Sequence, residues 1–538
     1  RYVDPEKCVG CGRCAEKCPV KVEDEYNEGL SERKAIYIKY PQAVPLIYTI
    51  DKQHCIYLTK GKCRVCEKVC ERGAIDFEQE EKEVLLKVGA IILAPGFDEF
   101  DASSLYGYGW SRFPNVVTSI EFERILNASG PFLGKVLRPS DKQPPHRVAF
   151  IQCVGSRDIH CGVPYCSSVC CMYAIKEAVV AKEHDPSLDI TIFYMDMRTQ
   201  GKGFEAYFER AQTEYGIKFI RSKIYKVEEI NSTRDLILRY TGEDGRVVEN
   251  CFNMVVLSVG LKPSAGSREL AKRLGVGIND YGFCRTVEFS PLETTREGIF
   301  VAGVFQGPKD IPETVAQASG AMAKAAAILA SARGTLTRKK GYPPEIEVRG
   351  QEPRIGVFIC HCGINIGGVV NVSEVKEFAK TLKNVVYADE NLYSCSQDTQ
   401  ERIKRAIKEY NLNRIVVAAC SPRTHEPLFQ ETIREAGLNR YLFEMANIRD
   451  QCSWVHMHEP EKATQKAKDL VRMAVAKVRL AEPLRELSLG LTRSALVIGG
   501  GISGMVSALT LAEQGFEVHL VERSGELGGM ARRIYYCL

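Results

Sequence analysis

Apolar residues in this chain fall into short runs bounded by Gly, Pro and polar residues. These runs alternate with longer stretches in which apolar side chains recur every three or four positions. Residues 146–153 (HRVAFIQC), 189–196 (DITIFYMD), 354–360 (RIGVFIC), 414–420 (RIVVAAC) and 517–521 (EVHLV) read as strands. Residues 170–183, 371–381, 399–410, 459–483 and 505–514 read as helices. Residues 84–97 (VLLKVGAIILAPGF) read as a strand running into a turn at Pro95-Gly96. Continuous apolar strands alternating with helices predict parallel sheets of the α/β class. The first seventy or so residues depart from this pattern and consist of short, cysteine-bearing loops.

Composition changes the picture in three places. A length of 538 residues predicts three or four domains. A net charge of +4 gives no case for nucleic-acid binding. The 21 cysteines cluster at ligand spacings, which predicts metal ligation in a reducing, cytoplasmic setting rather than disulfides. No apolar run is long enough to predict a transmembrane helix, and no signal peptide is visible. The chain begins with Arg1 and stops soon after a cofactor motif, so it reads as a fragment of a longer polypeptide.

Cys8, Cys11, Cys14 and Cys18, followed by Pro19, form C-x₂-C-x₂-C-x₃-C-P. That spacing is the run of bacterial ferredoxins, in which three thiolates hold one cubane and the fourth reaches the other. The partner set is Cys55, Cys63, Cys66 and Cys70. The ferredoxin likeness implies a crossed pairing, with Cys8, Cys11, Cys14 and Cys70 on one 4Fe–4S cluster and Cys18, Cys55, Cys63 and Cys66 on the second. Zinc uses C-x₂-C pairs separated by longer gaps, so it fits less well. The 36 residues between Cys18 and Cys55 exceed a minimal ferredoxin loop and predict packing onto a neighbour.

Further on, residues 90–96 resemble the strand and turn that close over FAD in flavoproteins of the thioredoxin reductase type. Residues 298–320, with Gly303, Glu313 and Thr314, resemble their second flavin motif, in which a helix N-terminus meets the pyrimidine end of the ring. The Asp usual after Gly303 is Val304 here. Between these motifs lies a second α/β unit, the place of a nucleotide domain. Its first strand is followed by Cys153-Val-Gly-Ser-Arg-Asp, without the G-x-G-x-x-G cradle. Cys153, Cys161, Cys166, Cys170 and Cys171 gather nearby in sequence and predict a further cluster, with buried structural thiols as the alternative. Near the end, Gly499, Gly501 and Gly504 make a G-x-G-x-x-G turn between strand and helix, Glu522 stands about twenty residues on, and Gly528-Gly529 follows. Together these predict an FAD pyrophosphate site.

CVGSRD, YCSSVCCMYAIKEA, the inserted ferredoxin and the flavin motifs together resemble the A subunit of heterodisulfide reductase, an iron–sulfur flavoprotein of anaerobes. The resemblance implies a cluster on Cys153, Cys166, Cys170 and Cys171. It also implies a flavin-facing lysine at Lys176, where a cation would tune the reduced states. ICHCG, AACSPRTHE and EMANIRDQCSWVH resemble the N-terminal domain of the same family. That likeness implies another cluster on Cys395, Cys420, Cys452 and either Cys360 or Cys362.

The expected architecture is α/β. It comprises a thioredoxin-reductase-like, two-dinucleotide flavoprotein fold with an inserted 2(4Fe–4S) ferredoxin domain and a separate parallel α/β domain. The expected boundaries are 1–80 ferredoxin, 81–334 remainder of the FAD fold with a degenerate nucleotide unit at about 145–260, and 335–353 linker. A second N-terminal-type domain at 354–485 and a Rossmann start at 490–538 complete the series. Late family parts precede early ones, so a tandem fusion is expected. The resemblance implies electron transfer between FAD and 4Fe–4S clusters, with bifurcation or confurcation involving ferredoxin. The implied partners are other subunits of a heterodisulfide-reductase-like complex and a hydrogenase- or dehydrogenase-type donor. Two other readings stand beside it: an NAD(P)H oxidoreductase of the glutamate synthase small-subunit type, and a scaffold that wires other subunits together.

Overall fold

The computed structural model describes residues 2–534; Arg1 and residues 535–538 lie outside the described set. The chain divides into two compact units, each built from separated stretches of sequence.

The first unit contains residues 2–82, Ile120–Leu137 and Lys340–Leu487. Its cysteine-rich module carries three short helices, Arg13–Lys17, Ile56–Lys60 and Val65–Lys68. Two small antiparallel ladders pair Lys21–Glu23 with Glu32–Lys34, and Ile36–Tyr37 with Thr49–Ile50. Its core is small: Val3, Ile36, Ile50, Ala74, Ile75 and Phe77 close around Cys14. So few buried apolar side chains make a marginal module, the usual situation in which bound metal supplies folding energy.

The α/β module of this unit is a four-stranded parallel sheet. Its order is Val385–Asn391, Ile355–Cys360, Arg414–Ala419 and Phe443–Asn447. The two central strands are buried at every position, as expected for a sheet covered on both faces. Helices Val372–Lys380, Gln397–Glu409, Pro422–Glu435 and Pro460–Arg479 supply the crossovers and cover. Part of the polar segment read as a linker is seated on this module. Lys340 pairs with Glu431 at 2.7 Å, Ile346 N–H donates to the Gly437 carbonyl at 2.8 Å, and Val348 is fully buried.

The second unit contains Glu83–Ser119, Arg138–Lys339 and residues 488–534. Its main sheet is parallel and five-stranded, in the order Lys218–Arg221, Asp189–Tyr194, Arg147–Val154, Met254–Val259, Val116–Thr118. The helix Cys170–His184 links two of these strands and carries two cysteines in its first turn. A four-stranded sheet joins Thr286–Val287, Ser290–Thr294, Ile299–Val301 and Ile91–Leu93, with the helix Ile311–Ile328 after it. Strands Ser494–Ile498 and Glu517–Val521 pair in parallel around the helix Ile502–Glu513.

One expectation needs correction. Residues 84–88 are not strand: only Ile91–Leu93 pairs, and Leu85 and Leu86 stay 92% and 73% exposed. Among the described residues the run has no neighbouring strand to accept its backbone groups, and an apolar pattern alone does not make a ladder.

Candidate functional site: four cysteine sets and a glycine-rich turn

The eight cysteines of the first module line two cavities. Cys8, Cys11, Cys14 and Cys70 face one of about 230 Å³, together with Gly10, Gly12 and Tyr48. Cys18, Cys55, Cys63 and Cys66 line the other, with Pro19, Ile36 and Phe77. The loops that aim these thiols use unusual backbone. Gly10 has φ +68°, and a Cβ there would lie 2.8 Å from Leu46 Cδ2 and 2.9 Å from its carbonyl oxygen, so only glycine fits. Cys63 itself has φ 104°. Burial pushes the Cys14 thiol up to about 12 and Cys66 up to about 11. A cationic cluster core would reverse that cost, because its ligands bind as thiolates.

A third set surrounds the start of the helix Cys170–His184. Cys153 is the next-to-last residue of its strand, Arg147–Val154, and has φ 61°. Burial, with Cys153, Cys171 and Cys166 adding, pushes Cys170 up to about 12; Cys171 rises to about 11 for the same main reason. Arg157 acts on Cys153 and Arg198 on Cys166, and both arginines also hold Asp196. Cys161 stands apart from this group, beside Asp158. Lys176 lies on the same helix and is half-buried.

A fourth set lies at the carboxyl ends of adjacent strands of the first unit, where open α/β sheets place ligands. Cys360 is the last residue of its strand, and Cys362 follows with φ 45°. Cys420 directly follows the strand Arg414–Ala419, and Cys395 precedes the helix Gln397–Glu409. The Cys360 thiol donates to the Leu392 carbonyl at 3.7 Å; the nearby Cys362 and burial push Cys360 up, while Cys360 and then Arg449 favour the Cys362 thiolate and push it down. Cys395 and Cys420 both sense Cys362 and Arg449.

Cys452 does not join this set, contrary to expectation. It is fully buried in the apolar core, and its thiol donates to the Ala463 carbonyl at 3.1 Å. The cause is a widened helical turn, Arg449–Ser453, after the last strand. It turns Cys452 beneath the helix Pro460–Arg479 and brings Arg449 to the thiols instead. Both Cys360 and Cys362 stand with Cys395 and Cys420, so four cysteines remain without Cys452.

Among the described residues no three His, Cys, Asp or Glu side chains converge on one metal position. A zinc ion draws four ligands to about 2.3 Å from one point, whereas a cubane spreads them over separate corners. Backbone N–H groups already point at sulfur in three sets: Ala74 to Cys70 at 3.3 Å, Ser168 to Cys166 at 3.4 Å and Ser394 to Cys360 at 3.3 Å. Such bonds set cluster potentials.

The glycine-rich turn is closely packed. Gly499 has φ +109°, and a Cβ on Gly504 would fall 1.8 Å from the Gly499 carbonyl oxygen. Gly501 caps the helix Ile502–Glu513. The Glu522 carboxylate accepts from Ser524 N–H at 3.0 Å and Gly500 N–H at 2.6 Å, and these bonds hold it down to about 2. Gly528 N–H donates to the Gly500 carbonyl at 2.8 Å, so Gly528-Gly529 closes over the turn. These are the glycines and acid that a dinucleotide needs.

Pro95 and Gly96 follow the strand Ile91–Leu93, with Gly96 at φ +78°. Gly303 N–H donates to Gln317 Oε1 at 3.0 Å. Asp310 caps the helix Ile311–Ile328 by accepting from Glu313 N–H at 2.8 Å, and Thr314 donates its hydroxyl to the Asp310 carbonyl at 2.7 Å. Lys309, which the motif pattern does not single out, is buried there and donates to the Gly303 carbonyl at 3.0 Å and Gln306 Oε1 at 2.9 Å. Arg449 and Tyr48 are likewise invisible to motif spacing; an isolated Arg or Tyr carries no such signal.

The fold and these sites define a mixed α/β chain with a ferredoxin-type module and a Rossmann-like dinucleotide turn. A 4Fe–4S binding domain model matches residues 1–22, and an NAD(P)-binding Rossmann-like domain model matches residues 497–535. The iron–sulfur A subunit of the CoB–CoM heterodisulfide reductase of Methanocaldococcus jannaschii is 50% identical over 326 residues, 60% of this chain and 49% of that protein. The A subunit of the H(2):CoB-CoM heterodisulfide,ferredoxin reductase of Methanothermobacter marburgensis is 49% identical over 331 residues, 61% of this chain and 49% of that one. Over about 60% of its length this chain is similar in sequence to the A subunits of heterodisulfide reductases. It spans about half the length of the curated relatives it matches. A flavoprotein disulfide reductase structure from Escherichia coli aligns at TM-score 0.27 and 11% identity, covering 48% of this chain and 46% of its own, a likeness too slight to carry an argument.

Proposed function

We propose that the chain is the electron-transfer iron–sulfur flavoprotein subunit of a heterodisulfide-reductase-like complex. The observation that carries this reading is the sorting of eight ferredoxin-type cysteines into two cavities, Cys8, Cys11, Cys14 and Cys70 in one and Cys18, Cys55, Cys63 and Cys66 in the other. Two-cluster ferredoxins need this crossed grouping. When bound, FAD supplies exchange of an electron pair and the clusters supply single-electron steps.

The chain's own groups fit those tasks. Thiols at Cys153, Cys166, Cys170 and Cys171, and at Cys360, Cys362, Cys395 and Cys420, are the candidate ligands of two further clusters. Gly499, Gly501, Gly504, Glu522, Gly528 and Gly529 would hold the FAD pyrophosphate and ribose. Pro95, Gly96, Gly303, Glu313 and Thr314 would bound the ring end of a flavin, and Lys176 is the candidate cation beside it.

On this reading ferredoxin is one redox partner, and other subunits supply a hydrogenase- or dehydrogenase-type donor and the terminal acceptor. Bifurcation or confurcation is the coupling that a flavin set among one-electron clusters allows. A tandem of two family units, acting in the cytoplasm, accounts for the order of motifs. Among the described residues no helix is long and apolar enough to cross a membrane. The test is reductive titration of the anaerobically isolated protein. Bleaching of a flavin together with cluster signals supports the reading; a protein with neither iron nor flavin overturns it.

A further inference from the structure

The long insertion between the two halves of the ferredoxin motif does more than fill space. Leu46 is buried and lies over Gly10, inside the Cys8–Cys11 ligand loop. Tyr48 lines the cavity of Cys8, Cys11, Cys14 and Cys70, and its hydroxyl would stand 3.2 Å from a Cβ on Gly12. The other side of the same segment meets the sheet module of its own unit. Leu46 N–H donates to Gln397 Oε1 at 2.9 Å, two residues from Cys395. Gln42 lies within hydrogen-bonding reach of the Tyr393 hydroxyl. That hydroxyl in turn would stand 3.3 Å from a Cβ on Gly363, the neighbour of Cys362, and Tyr393 is buried.

We propose that residues 42–48 form an electron-transfer bridge between the cluster site of Cys8, Cys11, Cys14 and Cys70 and the cluster site of Cys360, Cys362, Cys395 and Cys420. The proposal rests on the reading of both sets as 4Fe–4S sites. Electron tunnelling through protein falls steeply with distance and favours continuous covalent and hydrogen-bonded contact. Here one peptide segment touches both ligand loops, so the path leaves the Cys8–Cys11 loop, crosses Leu46 and enters at Gln397 and Cys395. In each event one reduced cluster loses one electron and the other gains it; no bond forms or breaks and no proton moves. The bridge connects the ferredoxin module to the sheet module without passing through a flavin, so it would equalise two one-electron stores.

The test uses the full-length, cluster-loaded protein. Pulsed electron paramagnetic resonance on the reduced sample should show spin–spin interaction between the clusters of the two sites. In a Cys395→Ser variant the iron content should fall by about four per chain and that interaction should vanish. A Gln42→Ala/Gln397→Ala double variant should keep all its iron but equilibrate electrons between the two sites at least tenfold more slowly, read by rapid freezing after reduction. Unchanged iron in Cys395→Ser would overturn the site reading and the bridge with it. Loss of iron without any interaction in the parent, or an unchanged equilibration rate in the double variant, would overturn the bridge alone.

Discussion

The backbone N–H of Ser394 points at the sulfur of Cys360 at a distance of 3.3 Å. Cys360 closes one strand and Ser394 sits in the loop beyond the neighbouring strand, so the fold itself holds this bond in place. An amide aimed at sulfur favours a thiolate and lowers the charge felt at a cluster.

That arrangement separates Cys420 from Cys452. Cys420→Ser should remove about four irons per chain. Cys452→Ala should leave iron unchanged and cost ~1–2 kcal/mol of stability, since it removes a buried sulfur and its bond to the Ala463 carbonyl. Iron analysis beside urea unfolding distinguishes the two; loss of iron in Cys452→Ala would put it back among the ligands.

The two ferredoxin cavities should empty independently. Cys14→Ala should abolish one reduced-cluster signal and Cys66→Ala the other, each with a loss of about four irons, and the pair together about eight. Electron paramagnetic resonance with iron analysis reads this. A single variant that removes both signals would mean that the eight thiols act as one site.

Arg449 supplies a positive charge beside Cys362, Cys395 and Cys420. Among the described residues its buried Nε has no hydrogen-bond partner, and its guanidinium lies 4.8 Å from the centre of the Trp454 ring. Reduction adds a negative charge that this cation favours. Arg449→Met should therefore lower the midpoint potential of this cluster by ~60 mV, a tenfold change in a one-electron ratio. A potentiometric titration showing no shift, or a rise, would contradict this role.

The glycine turn offers a steric test. Gly504→Ala places a Cβ 1.8 Å from the Gly499 carbonyl and should abolish FAD binding at that turn. Gly525→Ala, where no described atom lies within 4 Å of the added Cβ, should bind as the parent does. Flavin content after gel filtration is the measurement.

The cysteine groups and the glycine-rich turn were legible in the sequence because the candidate ligands come in tight local spacings. The run Cys8 to Cys18, the pair Cys170-Cys171 and the Gly499–Gly504 turn all state their chemistry within a few residues. The alternation of apolar strands and amphipathic helices likewise foretold the two parallel sheets. What stayed hidden depends on turns and contacts far apart in the chain. Cys452 was grouped with Cys395 and Cys420 by the family likeness of its segment, and the widened turn Arg449–Ser453 sets it apart from them beneath a helix. Residues 84–88 had a strand's composition but no partner strand among the described residues. Arg449, Lys309 and the contact of Leu46 with Gln397 join residues whose spacing carries no pattern.

The most direct measurement of the central claim is iron, acid-labile sulfide and FAD per chain in the anaerobically isolated protein. Four cysteine sets predict ~16 iron and ~16 sulfide, together with bound FAD. A value of ~8 iron would contradict the account: only the ferredoxin module would carry clusters, and the cysteines around Cys170 and Cys420 would be structural thiols.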